Sequence, residues 1–282
     1  MKNNFLVFFF LFSSSLCLSI VPDYFGVPIE QAMGLSDSQI KQALSRGDWK
    51  ILKHLYEKHA VNAQWSDEPR IPKIIHHIWL GSPLPEKYKI MRETWKNHHP
   101  DWELILWTDE DIEKLGLTNQ DLYDESSNYG VKSDIVRIEI LYRFGGLYVD
   151  TDFECVKPFD VFHHCCDFYA GAASAVSVNI YNGLIGSKPG HPILKYCIES
   201  FSPRPGESES CDDIQQRTGP AFFTKSFFAS WAKHDGPSVM FPANYFYPMP
   251  YYVLDKKTRE AVAKWFKPET FAVHYWNCSW AS

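Results

Sequence analysis

The chain has no C-x-x-C pair and no Cys/His spacing of a structural zinc site, so neither a thioredoxin-type redox centre nor a zinc module is encoded. It has no glycine-rich phosphate fingerprint. Gly81 stands alone after the first strand-like run, which argues against a dinucleotide oxidoreductase and against a P-loop enzyme. Positive charge is not in excess: Lys+Arg number 28 against 34 Asp+Glu, and the formal net charge is −6. That balance argues against broad electrostatic binding to nucleic acid or anionic lipid. Low complexity is absent too, since 45% of the 282 residues are hydrophobic and 22% charged. Such a composition excludes a disordered chain and is ample for one domain with a full core. Beyond the N-terminal segment no apolar run is long enough to span a membrane.

What is present begins with that segment. Met1-Lys2 is followed by the apolar run Phe5–Phe12, by Ser13-Ser14-Ser15, and by small residues near Cys17–Ser19. This is the charged, apolar, then small-polar order of a secretory signal, and residues 1–19 are expected to be a signal peptide or a signal anchor. Stretched to Val21 the apolar segment reaches 17 residues, so an uncleaved anchor holding the protein near a membrane stays open. The expected location is a secretory-pathway lumen or the outside of the cell. Seven cysteines occur, and removal of Cys17 leaves an even number, compatible with an oxidising compartment but not a disulfide framework.

Residues 20–66 read as an N-terminal helical extension. Ser36 or Asp37 is a candidate N-cap, and Ile40, Ala43, Leu44 and then Ile51, Leu52, Leu55 recur at helical spacing on either side of Gly47. From residue 67 to 282 short apolar runs alternate with helical stretches. Ile71–Leu80 is a first strand, a helix carrying Tyr88, Met91 and Trp95 follows, and Glu103–Trp107 is a second strand. Strand, helix, strand at this spacing predicts an α/β domain with a mostly parallel central sheet flanked by helices.

Chemistry concentrates in SDIVRIEILYRFGGLYVDTD, residues 133–152. Ile135, Ile138, Leu141 and Tyr142 set a helical face with Ser133 as a candidate cap, and Asp134 and Arg137 share a face at i, i+3. Gly145-Gly146 stops the helix. Leu147-Tyr148-Val149 then enters a strand, at whose end Asp150 and Asp152 are expected to point the same way. Two carboxylates there make a hard-oxygen site suited to Mg²⁺ or Mn²⁺. A second Asp-x-Asp, Asp109-Glu110-Asp111, reads as an ordinary helix start. Ten Trp, fifteen Tyr and twenty Phe supply either core packing or stacking surfaces for flat ligands, and composition does not choose between them.

The blocks IPKIIHHIWLG, SDIVRIEILYRFGGLYVDTD and HYWNCSW resemble the DXD-containing sugar transferases of glycosyltransferase family 32, whose relatives include inositol-phosphoceramide mannosyltransferases and, more distantly, glucosylating toxin domains. The resemblance runs from about Ile71 to Trp280. It implies a GT-A fold, a nucleotide-sugar donor (GDP-mannose or a UDP-hexose), Mn²⁺ or Mg²⁺, a lipid, glycan or protein acceptor, and retention at the anomeric carbon. By motif, Asp152 would hold the metal, Asp150 would contact the donor and share the metal, and Asp134 with Arg137 would hold donor hydroxyls and phosphate. Trp79 would stack on the nucleobase. His274 and Ser279 would complete the metal and phosphate site, Trp280 would cover the diphosphate, and Asn182 would lie on the acceptor side. Thr218-Gly219-Pro220 resembles a further family segment and reads as a turn into a helix. His76-His77 and His98-His99 are read as structural.

Two other readings compete. A non-catalytic sugar-binding protein on the same fold would not need Asp134, Arg137, Asp150 and Asp152 intact. A haloacid-dehalogenase-type phosphohydrolase would want a small residue two beyond the second Asp, where this chain has Glu154.

Overall fold

The structure is a computed structural model that describes residues 21–33, 36–172, 178–202, 210–253 and 258–277. The expected signal segment and the sites assigned to Ser279 and Trp280 lie outside the described residues. Among the described residues no helix is long and apolar enough to cross a membrane.

Apolar runs of four to eight residues build the central sheet: β1 (Ile74–Ile78), β2 (Glu103–Trp107), β3 (Gly146–Val149), β5 (Phe168–Ala172), β6 (Ile180–Ser187) and β7 (Ser238–Phe241), in the order β2-β1-β3-β6-β5-β7. β1 pairs parallel with both β2 and β3, and β5 pairs parallel with β7. Only β6 runs against its neighbours, pairing antiparallel with β3 and β5. The sheet is therefore mostly parallel, as expected, with one reversed strand near its middle. A separate two-stranded ribbon, β4 (Phe153–Cys155) with β8 (Ala272–His274), brings residues from near the end of the chain beside the turn that follows β3.

The first strand is shorter than the expected 71–80, because Ile71 to Lys73 precede the ladder and Trp79 leaves it. The second matches its expected bounds, and the helix Glu86–His98 that precedes it buries Tyr88 and Trp95. In the N-terminal extension, Ser36 opens the helix Asp37–Leu44, its backbone N–H donating to Gln39 Oε1 at 2.9 Å. The helix Gly47–Tyr56 follows and buries Trp49, Leu52, Leu55 and Tyr56. These side chains share one core with the sheet, and the hydroxyls of Tyr56 and Tyr245 meet at 2.9 Å.

Phe162 sits at the centre of the aromatic packing. Its ring lies 4.6 Å from Phe271, 4.8 Å from Phe241, 5.0 Å from Phe159 and Tyr169, and 5.3 Å from Phe25 and Phe246. Edge-to-face and offset pairs of this kind add about 0.5–1.5 kcal/mol each beyond the area they bury. Among the described residues Cys155, Cys165, Cys166, Cys197 and Cys211 are free thiols, the first four buried. The buried four pack as small apolar groups.

The structural reading of the first histidine pair holds. On β1, His76 Nε2 lies 2.8 Å from Gly145 O and His77 Nδ1 lies 3.0 Å from Val149 O, tying β1 to both ends of β3. Burial pulls His76 down to about 4 and His77 to about 3, lowers His191 to about 3, and holds His163 well below the ordinary value. These four rings stay neutral in the folded chain while the unfolded chain protonates below about pH 6.5. The unfolded state then binds more protons, so acid destabilises the fold, by about 1.4 kcal/mol per pH unit per fully buried ring over that window. Asp134 and Asp150, which burial raises, act in the opposite sense at lower pH. The urea midpoint, followed by tryptophan fluorescence, should fall steadily from pH 7 to 5. A flat midpoint over that range contradicts neutral burial of the four rings.

Candidate active site

The helix Tyr129–Phe144 begins a turn earlier than its sequence suggests. Asn128, not Ser133, caps it, its side chain accepting from the Gly130 N–H at 2.7 Å and the Val131 N–H at 3.4 Å. Ser133 lies inside the helix, and its hydroxyl accepts from the Arg137 guanidinium at 3.0 Å. Gly145, at φ 66, ends the helix as expected, a conformation open to glycine without strain.

Asp150 and Asp152 do not alternate along a strand. β3 ends at Val149, and Asp150-Thr151-Asp152 forms a tight turn closed by the Phe153 N–H donating to Asp150 O at 3.2 Å. The turn nevertheless points both carboxylates at one place. β8 brings His274 there by pairing opposite Phe153. One ring nitrogen of His274 lies 3.0 Å from Asp152 Oδ1, and the ring stacks on Phe153 at 4.4 Å. The second Asp-x-Asp is an ordinary helix start, with Asp111 accepting from the Thr108 N–H at 2.9 Å.

Asp134, Arg137, Asp150, Asp152, Asn182 and His274 all line one cavity of about 830 Å³, with Trp79 and Tyr129 also in its wall. Trp79 is half-buried, its indole N–H donating to Ser82 Oγ at 3.1 Å and its ring 4.9 Å from Tyr88. Arg137 is held almost entirely by protein. It donates to Ser133 O at 3.2 Å and Asn182 O at 2.9 Å, and it pairs with Asp134 at 3.2 Å and Asp150 at 3.3 Å. Asn182 gives its side-chain amide to Asp134 at 2.9 Å, so it braces the helix carboxylate as well as lining the cavity.

Burial sets the electrostatics. It raises Asp134, against the pull of Arg137, Thr218 and Asn182, and it raises Asp150 against the pull of Arg137. Burial would raise Asp152 as well, but His274 and the Asn277 N–H, 2.8 Å away, outweigh it and bring that carboxyl below its usual range. Burial also works against the Arg137 charge, yet Asp150, Tyr148 and Asp134 hold the guanidinium firmly protonated. Three carboxylates thus share a site with one guanidinium. A divalent cation fits this donor set. Asp150, Asp152 and His274 each offer a ligand atom within 4.8 Å of the others, and His274 Nδ1 is buried with no hydrogen-bond partner among the described residues. Two hard oxygens and an imidazole suit Mn²⁺ or Mg²⁺.

Sequence reasoning missed several residues here. Thr218 donates its hydroxyl to Asp134 Oδ2 at 2.9 Å, and Tyr148 donates to Asp150 Oδ1 at 2.5 Å. Tyr181, Tyr247, Tyr251 and Trp276 line the same cavity. Threonine before Gly-Pro was a visible signal for Thr218; the aromatics carried none. Glu154 turns away to Arg259 and to the Tyr275 hydroxyl.

Comparison with known proteins places this geometry in context. Residues 85–167, which include the Asp150–Asp152 turn, match the family described as "Glycosyltransferase sugar-binding region containing DXD motif". Inositol phosphoceramide mannosyltransferase 3 of Schizosaccharomyces pombe is 31% identical over 169 residues, covering 58% of this chain and 46% of that protein. Mannosyl phosphorylinositol ceramide synthase SUR1 of Saccharomyces cerevisiae is 31% identical over 135 residues, covering 46% and 35%. The chain thus spans less than half the length of these curated relatives. Among solved structures, PaToxG Glycosyltransferase is similar at 19% identity and a TM-score of 0.49, covering 69% of this chain and 80% of that one.

Two substitutions probe the geometry. Thr218→Val keeps the shape but leaves a buried carboxylate short of a donor, and should cost about 1–3 kcal/mol in urea unfolding. Gly183→Ala would place a methyl 2.6 Å from Asp150 Oδ2, so the carboxylate must move. Mn²⁺ affinity by isothermal titration should weaken roughly tenfold or more; unchanged affinity would show that Asp150 is not placed by this contact.

Proposed function

We propose that the chain is a metal-dependent, retaining glycosyltransferase that moves a hexose from a nucleotide-sugar donor to an acceptor hydroxyl. The observation that carries this reading is the convergence of Asp150, Asp152 and His274 on the wall of a cavity that also holds Asp134 and Arg137. The match of residues 85–167 to a sugar-binding region containing a DXD motif supports it. Mannose from GDP-mannose is the proposed donor, because the mannosyltransferase names of the relatives point that way. A lipid head group, glycan or protein supplies the acceptor, and the reaction belongs in a secretory lumen provided with donor.

In this reading Asp150, Asp152 and His274 would hold Mn²⁺ or Mg²⁺, which supplies positive charge against the donor diphosphate. Trp79 stacks on the nucleobase. Asp134, steadied by Asn182 and Thr218, accepts hydrogen bonds from donor hydroxyls and faces a sugar carbon that becomes cation-like. Arg137 places a fixed positive charge beside the leaving group without reorganising, since its own hydrogen bonds are already made. By the resemblance alone, Ser279 and Trp280 would complete the phosphate side. The bond from the anomeric carbon to phosphate breaks, the acceptor oxygen bonds to that carbon, and the acceptor proton passes to the leaving phosphate. A retaining reaction of this kind needs no separate protein base.

Incubation with nucleotide sugars and MnCl₂ should release nucleoside diphosphate, strongly reduced by EDTA. Asp152→Asn should lower the rate by about 10²-fold or more. Release unchanged in that variant would sink the assignment of Asp152, and no release from any nucleotide hexose would sink the donor reading.

A further inference from the structure

A second cavity, sharing no residue with the first, lies where the N-terminal extension meets the body of the protein. Its volume is about 210 Å³, and His54, Lys58 and His59 of the extension face His234, Asp235 and Ser238 of the body across it. Lys58 and His59 belong to a single π-helical turn, Glu57–Val61, that continues the helix Gly47–Tyr56. Such turns are rare and frequent at functional sites.

Three observations give this cavity the character of an anion site. First, its fixed cation is unspent. Lys53 pairs with Glu30 and, at 3.2 Å, with Glu57, whereas Lys58 has no carboxylate or hydrogen-bond partner among the described residues. Second, the carboxylate behind the wall is more than neutralised. Asp167 is met by Arg70 at 3.1 Å, Lys188 at 2.8 Å and His234 at 2.9 Å, so two fixed cations share one anion. Asp235 is the one carboxylate on the wall itself, and it is exposed. The surplus is felt at His59: burial pulls that ring down to about 4, and Lys58, His54 and His234 push the same way against Asp167 alone. Third, a buried hydroxyl has a hydrogen to give. His191 Nδ1 accepts from the Ile193 N–H at 3.3 Å and burial keeps the ring neutral, so its proton sits on Nε2 and goes to Ser238 Oγ at 3.3 Å. Ser238 is 2% exposed, and its own hydroxyl hydrogen has no acceptor among the described residues. The same tautomer excludes a Ser238–His191 nucleophile and base, because the nitrogen at the hydroxyl already carries the proton.

We propose that this cavity binds a small oxyanion, inorganic phosphate or the phosphate of a monoester, held by the Lys58 ammonium and the Ser238 hydroxyl with the imidazoles of His54, His59 and His234 around it. An oxyanion accepts from both donors at once. The cavity is too small for a nucleotide sugar, since sites for ligands of drug size occupy about 300–1,000 Å³. Among the described residues its imidazoles do not converge closely enough to share a metal ion. The bound anion ties the extension to the body, and the inference does not depend on the glycosyltransferase reading.

Isothermal titration of the full chain with sodium phosphate and with glycerol 3-phosphate tests the site, at fixed ionic strength and in EDTA so that no metal-held phosphate contributes. The unmodified chain should bind about one equivalent saturably. Lys58→Met and Ser238→Ala should each weaken binding about tenfold. Lys233→Met, at an exposed lysine outside the wall, should change it less than about twofold. Tighter binding of one ligand names the source, free ion or monoester, and either supports the site. Absence of saturable binding for both ligands overturns it. So does affinity unchanged in both wall variants, or an equal loss in Lys233→Met, which marks diffuse surface charge.

Discussion

Burying Arg137 together with Asp134, with Asp150 half-buried beside them, strips water from both fully buried ions, a loss of several kcal/mol for each taken singly. The fold offsets that loss by surrounding them with partners from separate elements. The guanidinium is met by Ser133 from its own helix and by the Asn182 carbonyl from β6, and it lies over the Tyr148 ring on β3 at 4.6 Å. Asp134 is met by Asn182 and by Thr218 at the entrance to the helix Pro220–Ser230. One helix, two strands and one turn are therefore pinned to a single cation. The reversed direction of β6 is part of this constraint, because its pairing with β3 places Gly183 O on the Asp150 N–H at 2.8 Å and Asn182 beside it.

Local chemistry was legible where one short stretch of chain decides it. The helix stop at Gly145, the strand into Val149, the shared face of Asp134 and Arg137, and the capped start at Asp109 all follow from neighbours within a few residues. The reading erred where two local solutions competed. Ser-Asp at 133–134 looks like a helix start, but Asn128 caps the helix earlier, and Gly130 in the first turn disguised the helix that precedes it. Asp150 and Asp152 were expected to converge by strand alternation, whereas a turn converges them. Contacts that join distant parts of the chain are not written in either stretch: Thr-Gly-Pro marks Thr218 as a turn, not as a partner of Asp134. Thr218 reaches Asp134 across 84 positions, and the cavity wall around Trp276 draws on three separate segments.

The aromatic excess divides between two uses. Phe159, Phe162, Phe241, Phe246 and Phe271 are fully enclosed and make the core stiff, while Trp79, Tyr129, Tyr181 and Tyr251 retain exposed faces on the cavity. The stiff part supports the open part. Phe153 shows the link: its ring stacks on His274 while its carbonyl accepts the Trp95 N–H at 3.0 Å from the helix packed under the sheet.

The ribbon of β4 with β8 carries a consequence for how the protein comes into being. His274 meets Asp152 across 122 positions, through a pairing of only three residues on each strand. Closing so long a loop is among the slowest contacts a chain of this kind makes, and so short a ribbon is held in place by its packing more than by its own ladder. During synthesis the sheet and the Arg137 cluster have all their parts well before β8 leaves the ribosome. The last described strand thus completes the site: until it docks, the two aspartates lack their third corner, and the core lacks Phe271 beside it.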